Sequence, residues 1–82
     1  MATKIDEYVG IVKIDKILGH TLLLQDYTDY FYLRVEDCGG CGILKVRISR
    51  QGNVLKDDKW MVENDDDLGW VRWAQDLIEQ NK

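Results

Sequence analysis

Apolar and polar residues alternate most cleanly in two stretches of this chain. Phe31, Leu33 and Val35 interleave with Tyr30, Tyr32, Arg34 and Glu36, and Leu44, Val46 and Ile48 interleave with Lys45, Arg47 and Ser49. Successive side chains of a strand point to opposite faces, so residues 30–36 and 43–49 read as two strands, each with an aliphatic face and an aromatic or cationic face. Between them lies Asp37-Cys-Gly-Gly-Cys-Gly42, a turn that closes a central hairpin. If Glu36 pairs with Ile43, then Arg34 lies opposite Lys45, Tyr32 opposite Arg47 and Tyr30 opposite Ser49.

The flanking pattern is less regular. Glu7 to Ile14 reads as a first strand, with Val12 and Ile14 facing one way and Val9 and Ile11 the other. Tyr8, Ile11/Val12 and Ile5/Val9 also fit a helical stripe, but Gly10 and the density of β-branched residues favour a strand. Ile17 to Gln25 is a second strand, and Asp26-Tyr-Thr-Asp29 a turn, because Asp side chains bond back to nearby backbone. Gln51-Gly-Asn53 is a tight turn. Val54 and Leu55 begin a fifth strand, interrupted by Asp57 and Asp58 and resumed over Lys59 to Val62.

From about Asp66 to Gln80 the period changes to that of a helix. Trp70, Trp73, Ala74, Leu77 and Ile78 form one apolar stripe, with Arg72, Gln75, Asp76, Glu79 and Gln80 on the other side. Asp65 or Asp66 suits the N-terminal cap and the helix dipole. The expected architecture is α+β: an antiparallel meander of four to five strands with one C-terminal helix packed on one face. The helix stripe should cover Phe31, Leu33, Val35, Leu44, Val46 and Ile48.

Eighty-two residues suit a single small domain over 1–82, with no room for a cleft between lobes. Net charge is −4, which disfavours generic nucleic-acid binding and suits a protein partner. The acids cluster at Asp57-Asp58 and at Glu63 with Asp65-Asp66-Asp67, an alternative acidic interaction patch. No apolar signal region, myristoylation site or membrane-length run is present, so the expected setting is cytoplasmic, with reduced thiols and no membrane partner.

Cys38-Gly-Gly-Cys41-Gly42 resembles the zinc knuckle, in which two thiolates at a glycine turn share a tetrahedral ion. A closed site needs four ligands. His20 and Asp37 are the only nearby additions, short of a second chain giving its own Cys pair across a homodimer. A thioredoxin-like redox role lacks the helix that lowers the pKa of the first thiol. The expectation is therefore two reduced, metal-free cysteines and no cofactor. His20 is the sole histidine, and no phosphate loop, nucleophile elbow, metal-binding histidine pair or calcium-loop spacing occurs. The chain reads as non-enzymatic.

The remaining candidate chemistry is the outer face of the central hairpin. Tyr30, Tyr32, Arg34, Lys45 and Arg47 share it, with Tyr32 and Arg47 at its centre. Arg34 opposite Lys45 is a like-charge pair, which needs an acid on a neighbouring strand, a register shift or an anionic partner to offset it. Tyr and Arg are usual anchors of protein interfaces, and they also stack on single-stranded bases. The favoured function is protein–protein contact, for which a phage-encoded inhibitor or host-takeover factor fits the short, acidic, motif-free profile. A single-stranded nucleic-acid module on the same face is the alternative, and a zinc-linked dimer through Cys38 and Cys41 a second one.

Overall fold

In the computed structural model, which describes residues 8–37 and 42–80, four antiparallel strands lie in chain order as a meander. They are β1 (Tyr8–Ile17), β2 (His20–Tyr27), β3 (Tyr30–Glu36) and β4 (Gly42–Ser49). A 3-10 helix follows over Lys56–Met61, and helix α1 spans Asp65–Gln80. The α+β meander with one C-terminal helix is the architecture expected from the sequence.

The central hairpin has the register read from its alternation. Tyr30 pairs with Ser49, Tyr32 with Arg47 and Arg34 with Lys45. Only the turn end differs: Glu36 pairs with Gly42 rather than Ile43, because the ladder shifts there. The aliphatic face is the core. Leu22 and Leu24 of β2, Phe31, Leu33 and Val35 of β3, and Leu44, Val46 and Ile48 of β4 are all buried. They pack with Val71, Ala74 and Ile78 of α1.

The helix therefore docks through a slightly different line from the expected one. Val71, Ala74 and Ile78 are central, while Trp70, Trp73 and Leu77 pack half-buried along the margins. Aliphatic side chains fill the centre, where Ala74 lets the helix approach the sheet closely, and the bulky indoles pack at the edges. The Trp70 ring lies 5.2 Å from the imidazole of His20, and Trp73 Nε1 donates a long bond of 3.4 Å to Asp15 of β1. Gln75, expected in solvent, is half-buried and donates to the Gly52 carbonyl at 2.9 Å.

The cap of α1 is Asn64 rather than Asp65 or Asp66. Asn64 Oδ1 accepts from the backbone N–H of Asp67 at 2.9 Å, and the buried Asp67 carboxylate accepts from the N–H of Glu63 at 3.0 Å. This reciprocal arrangement satisfies two N–H groups at the helix entrance, in the manner of a capping box. Replacing Asn64 by alanine should cost about 1 kcal/mol in denaturant unfolding, with most of it kept in Asn64→Asp, since aspartate caps equally well.

Three further expectations need correction. β1 continues to Ile17, and its ladder slips between Tyr8 and Gly10 and between Ile11 and Lys13. Val12 falls in the second irregularity and packs on the core, while Ile11 and Ile14 both pair with outer-face residues, Gln25 and Leu23. An extra residue of this kind resets the period of two. Tyr27 belongs to β2, and the turn shrinks to Thr28-Asp29. The fifth strand is reduced to one bridge, Val54 with Ile48, after which the chain coils into the 3-10 helix because Asp58 is drawn to Arg47.

Candidate functional site

The outer face of the sheet carries a cluster of aromatic rings. Tyr27 at the end of β2 stacks on Tyr30 with centroids 5.4 Å apart and planes 15° from parallel. Its other contacts are edge-on, with Tyr8 at 5.3 Å and with Tyr32 at 6.1 Å. Two-residue turning at Thr28-Asp29 sets Tyr27 directly opposite Tyr30, and the alternation of β3 brings Tyr32 to the same face. Such offset and T-shaped arrangements suit the ring quadrupoles.

Beside the rings lies a shallow, open depression of about 640 Å³, lined by Tyr27, Tyr30, Tyr32, Lys45, Arg47, Asp58 and Met61. Four of the five residues expected on this face, Tyr30, Tyr32, Lys45 and Arg47, thus meet in one place. Arg34 stands on the same face outside the lining.

Arg47 has two tasks. Its guanidinium lies 5.8 Å from the Tyr30 ring centroid, a cation–π distance. It also grips Asp58: Nε and Nη2 donate to the two carboxylate oxygens at 2.9 and 2.8 Å, and the Arg47 backbone N–H donates to Oδ2 at 2.8 Å. These hydrogen bonds hold the Asp58 carboxyl below its ordinary value and raise the guanidinium further. The like charges at Arg34 and Lys45 are offset in part by Glu36, whose carboxylate accepts from Arg34 Nη2 at 2.8 Å. Lys45 is exposed.

Tyr8, Tyr27 and Met61 join this face beyond the residues expected from the alternation. Tyr27 follows from the period of two: Leu23, Gln25 and Tyr27 share one face of β2, opposite the buried Leu22 and Leu24. Trp60, adjacent to Met61 on the 3-10 helix, is 69% exposed. No sequence signal separated it from a strand residue.

Of the acidic alternative, Glu63, Asp65 and Asp66 are exposed at the start of α1, whereas Asp67 is turned inward as part of the cap. Cys38 and Cys41 lie outside the described residues. Among the described residues no group of three or more His, Cys, Asp or Glu side chains is placed to hold a metal, and no helix is long and apolar enough to cross a membrane. A second hollow of about 520 Å³ lies along α1, over Val54, Val62, Leu68 and Val71, with Lys59 and Arg72 among its lining residues. No family model, curated protein or solved structure matches the chain.

Proposed function

We propose that this chain is a small, non-enzymatic binding protein that works by protein–protein contact through its tyrosine-lined outer face. The observation that carries the reading is the ring cluster of Tyr8, Tyr27, Tyr30 and Tyr32 bordering the depression with Lys45 and Arg47. Tyrosines offer large, stiff contact area with a hydrogen-bonding tip, and fixing their few rotatable bonds on binding costs little side-chain entropy. Trp60 supplies a further exposed anchor close by in the chain. A partner surface that combines apolar area with carboxylates fits best, because Lys45 is exposed while Arg47 already has Asp58.

The same features argue less well for single-stranded nucleic acid. Stacking platforms need an electropositive track for the phosphates. Here Asp58 sits in the depression, and the chain carries 15 acidic against 11 basic residues. A cytoplasmic setting, and work as a phage-encoded inhibitor or host-takeover factor, belong to this proposal. They draw support from the small acidic chain and the absence of a catalytic motif in its sequence.

The test begins with capture of partners from native lysate on the immobilised chain, followed by affinity measurement with the purified partner. Arg47 is a poor residue to remove, since the fold uses it. The informative change is Tyr32→Ala with Lys45→Ala. Loss of at least about 2 kcal/mol of binding, with the unfolding midpoint nearly unchanged, is the expected result. Unchanged affinity would move the site to Glu63, Asp65 and Asp66. Salt-sensitive retention of single-stranded oligonucleotides by the wild type would replace the protein-binding reading.

A further inference from the structure

The two edges of the sheet are treated differently. At β4, the segment after the strand folds back: Val54 bridges to Ile48, the Leu55 N–H donates to the Arg47 carbonyl, and the Ser49 N–H donates to the Asn53 carbonyl. At β1, no backbone bond from another described segment reaches the free edge. Yet β1 is the longest strand, with ten residues, and Ile11 and Ile14, both 52% exposed, lie on its outer face. A long edge with exposed β-branched residues is a template for another strand.

The charge pattern of β1 names that strand. Lys13-Ile14-Asp15-Lys16-Ile17 is the regular part, beyond the second irregularity. Directly opposed residues of antiparallel strands share a face, so a two-fold pairing of β1 with its own copy places some residue opposite itself. About Ile14, Ile14 meets Ile14, and Lys13 of each copy meets Asp15 of the other, twice over. About Lys13, Asp15 or Lys16, the central residue meets its own charge, which is unfavourable. About Ile17 the pairing runs off the strand into the Leu18-Gly19 turn. Within the regular stretch, only the Ile14 register gives opposite charges without a like-charge pair.

We propose that β1 is a homodimer interface, pairing antiparallel with β1 of a second copy about Ile14 and joining the two sheets into one. The two-fold axis runs normal to the sheet. Both tyrosine faces therefore lie on the same side of the assembly, and the dimer presents two copies of the depression to one partner surface. The proposal does not rest on the tyrosine face being the binding site.

Sedimentation of the full chain across a concentration series tests it. The wild type should move from one to two chain masses as concentration rises. Lys13→Asp sets Asp against Asp15 of the other copy, and Asp15→Lys sets Lys against Lys13; each should weaken association at least tenfold. The double reversal, Lys13→Asp with Asp15→Lys, restores opposite charges and should restore association. Ile14→Asp should leave a monomer. Circular dichroism checks that each variant folds, and Ile14→Asp and Lys13→Asp leave the Trp73–Asp15 contact in place if Asp15→Lys does not fold. A wild type of one chain mass throughout would overturn the proposal, as would a dimer insensitive to these changes. A dimer lost only in Cys38→Ser with Cys41→Ser, or on chelation, would assign association to the thiol turn instead.

Discussion

Truncating Ile78 to alanine should lower the unfolding free energy by about 2–5 kcal/mol, the range for emptying a buried aliphatic site. Leu77→Ala, one position away, should cost about 1 kcal/mol, because its side chain is only half out of water. The contrast follows from the docking line of α1: Ile78 is 2% exposed and belongs to the core cluster, while Leu77 packs at its margin. For a chain of this length a total stability of about 4–12 kcal/mol is typical, so the Ile78 change removes a large share of it. Chemical denaturation of both variants reads the difference directly. Equal losses would mean that the helix is rotated toward the Trp73–Leu77 line.

The second large effect is expected at Asp58. Asp58→Ala removes one carboxylate that accepts three hydrogen bonds, two from the guanidinium of Arg47 and one from its backbone N–H. It leaves a partly buried N–H without an acceptor and detaches the 3-10 helix from β4. The loss should be about 2 kcal/mol at neutral pH, given that hydrogen bonds to charged groups exceed neutral ones and that the Arg47 side chain is 37% exposed. The pH dependence has a fixed sign. The Asp58 carboxyl is lowered in the folded protein, chiefly by the side-chain bond from Arg47. Its contribution is therefore complete above the unfolded carboxylate pKa of about 3.9 and fades as pH falls through the lower folded value. The stability gap between wild type and Asp58→Ala should accordingly narrow on acidification below about pH 4. A gap constant from neutral pH down to pH 2, on the order of a full carboxylate titration, would show that the carboxylate charge is not what holds the segment.

The contrast between the central hairpin and its surroundings explains what could be read from the sequence. Phe31 to Val35 and Leu44 to Ile48 alternate without a break, so one register satisfies both aliphatic faces at once, and Tyr32 falls opposite Arg47. The aromatic and basic face came from the same alternation. In β1 the apolar residues Val9, Ile11, Val12 and Ile14 satisfy two periods, and the extra residue at Val12 has no compositional mark. In α1, Trp70, Val71, Trp73, Ala74, Leu77 and Ile78 span an arc wider than the core needs, and the periodicity does not say that Val71, Ala74 and Ile78 form the part that turns inward. The segment at Lys56–Met61 carried too few apolar positions to define a period. Its conformation depends on Asp58 finding Arg47, eleven residues earlier, which is a tertiary event rather than a local preference. The same event brought Asp58 and Met61 into the depression and so completed the candidate site.

Chain order and spatial order coincide throughout the sheet, and this bears on how fast the molecule assembles. Every strand pairs with its neighbour in sequence, and the first two hairpins are closed by Leu18-Gly19 and Thr28-Asp29. Closing such short loops sacrifices little chain entropy, and zipping can proceed from hairpin to hairpin without a distant segment having to arrive first. Leu18 disfavours the turn that lays down β1, for it adopts φ +52°, a left-handed conformation that a leucine resists, ahead of Gly19 at +83°. The hairpin of β2 and β3 has no such obstacle and carries Leu22, Leu24, Leu33 and Val35, so nucleation should begin there, with β1 among the last strands to be laid down.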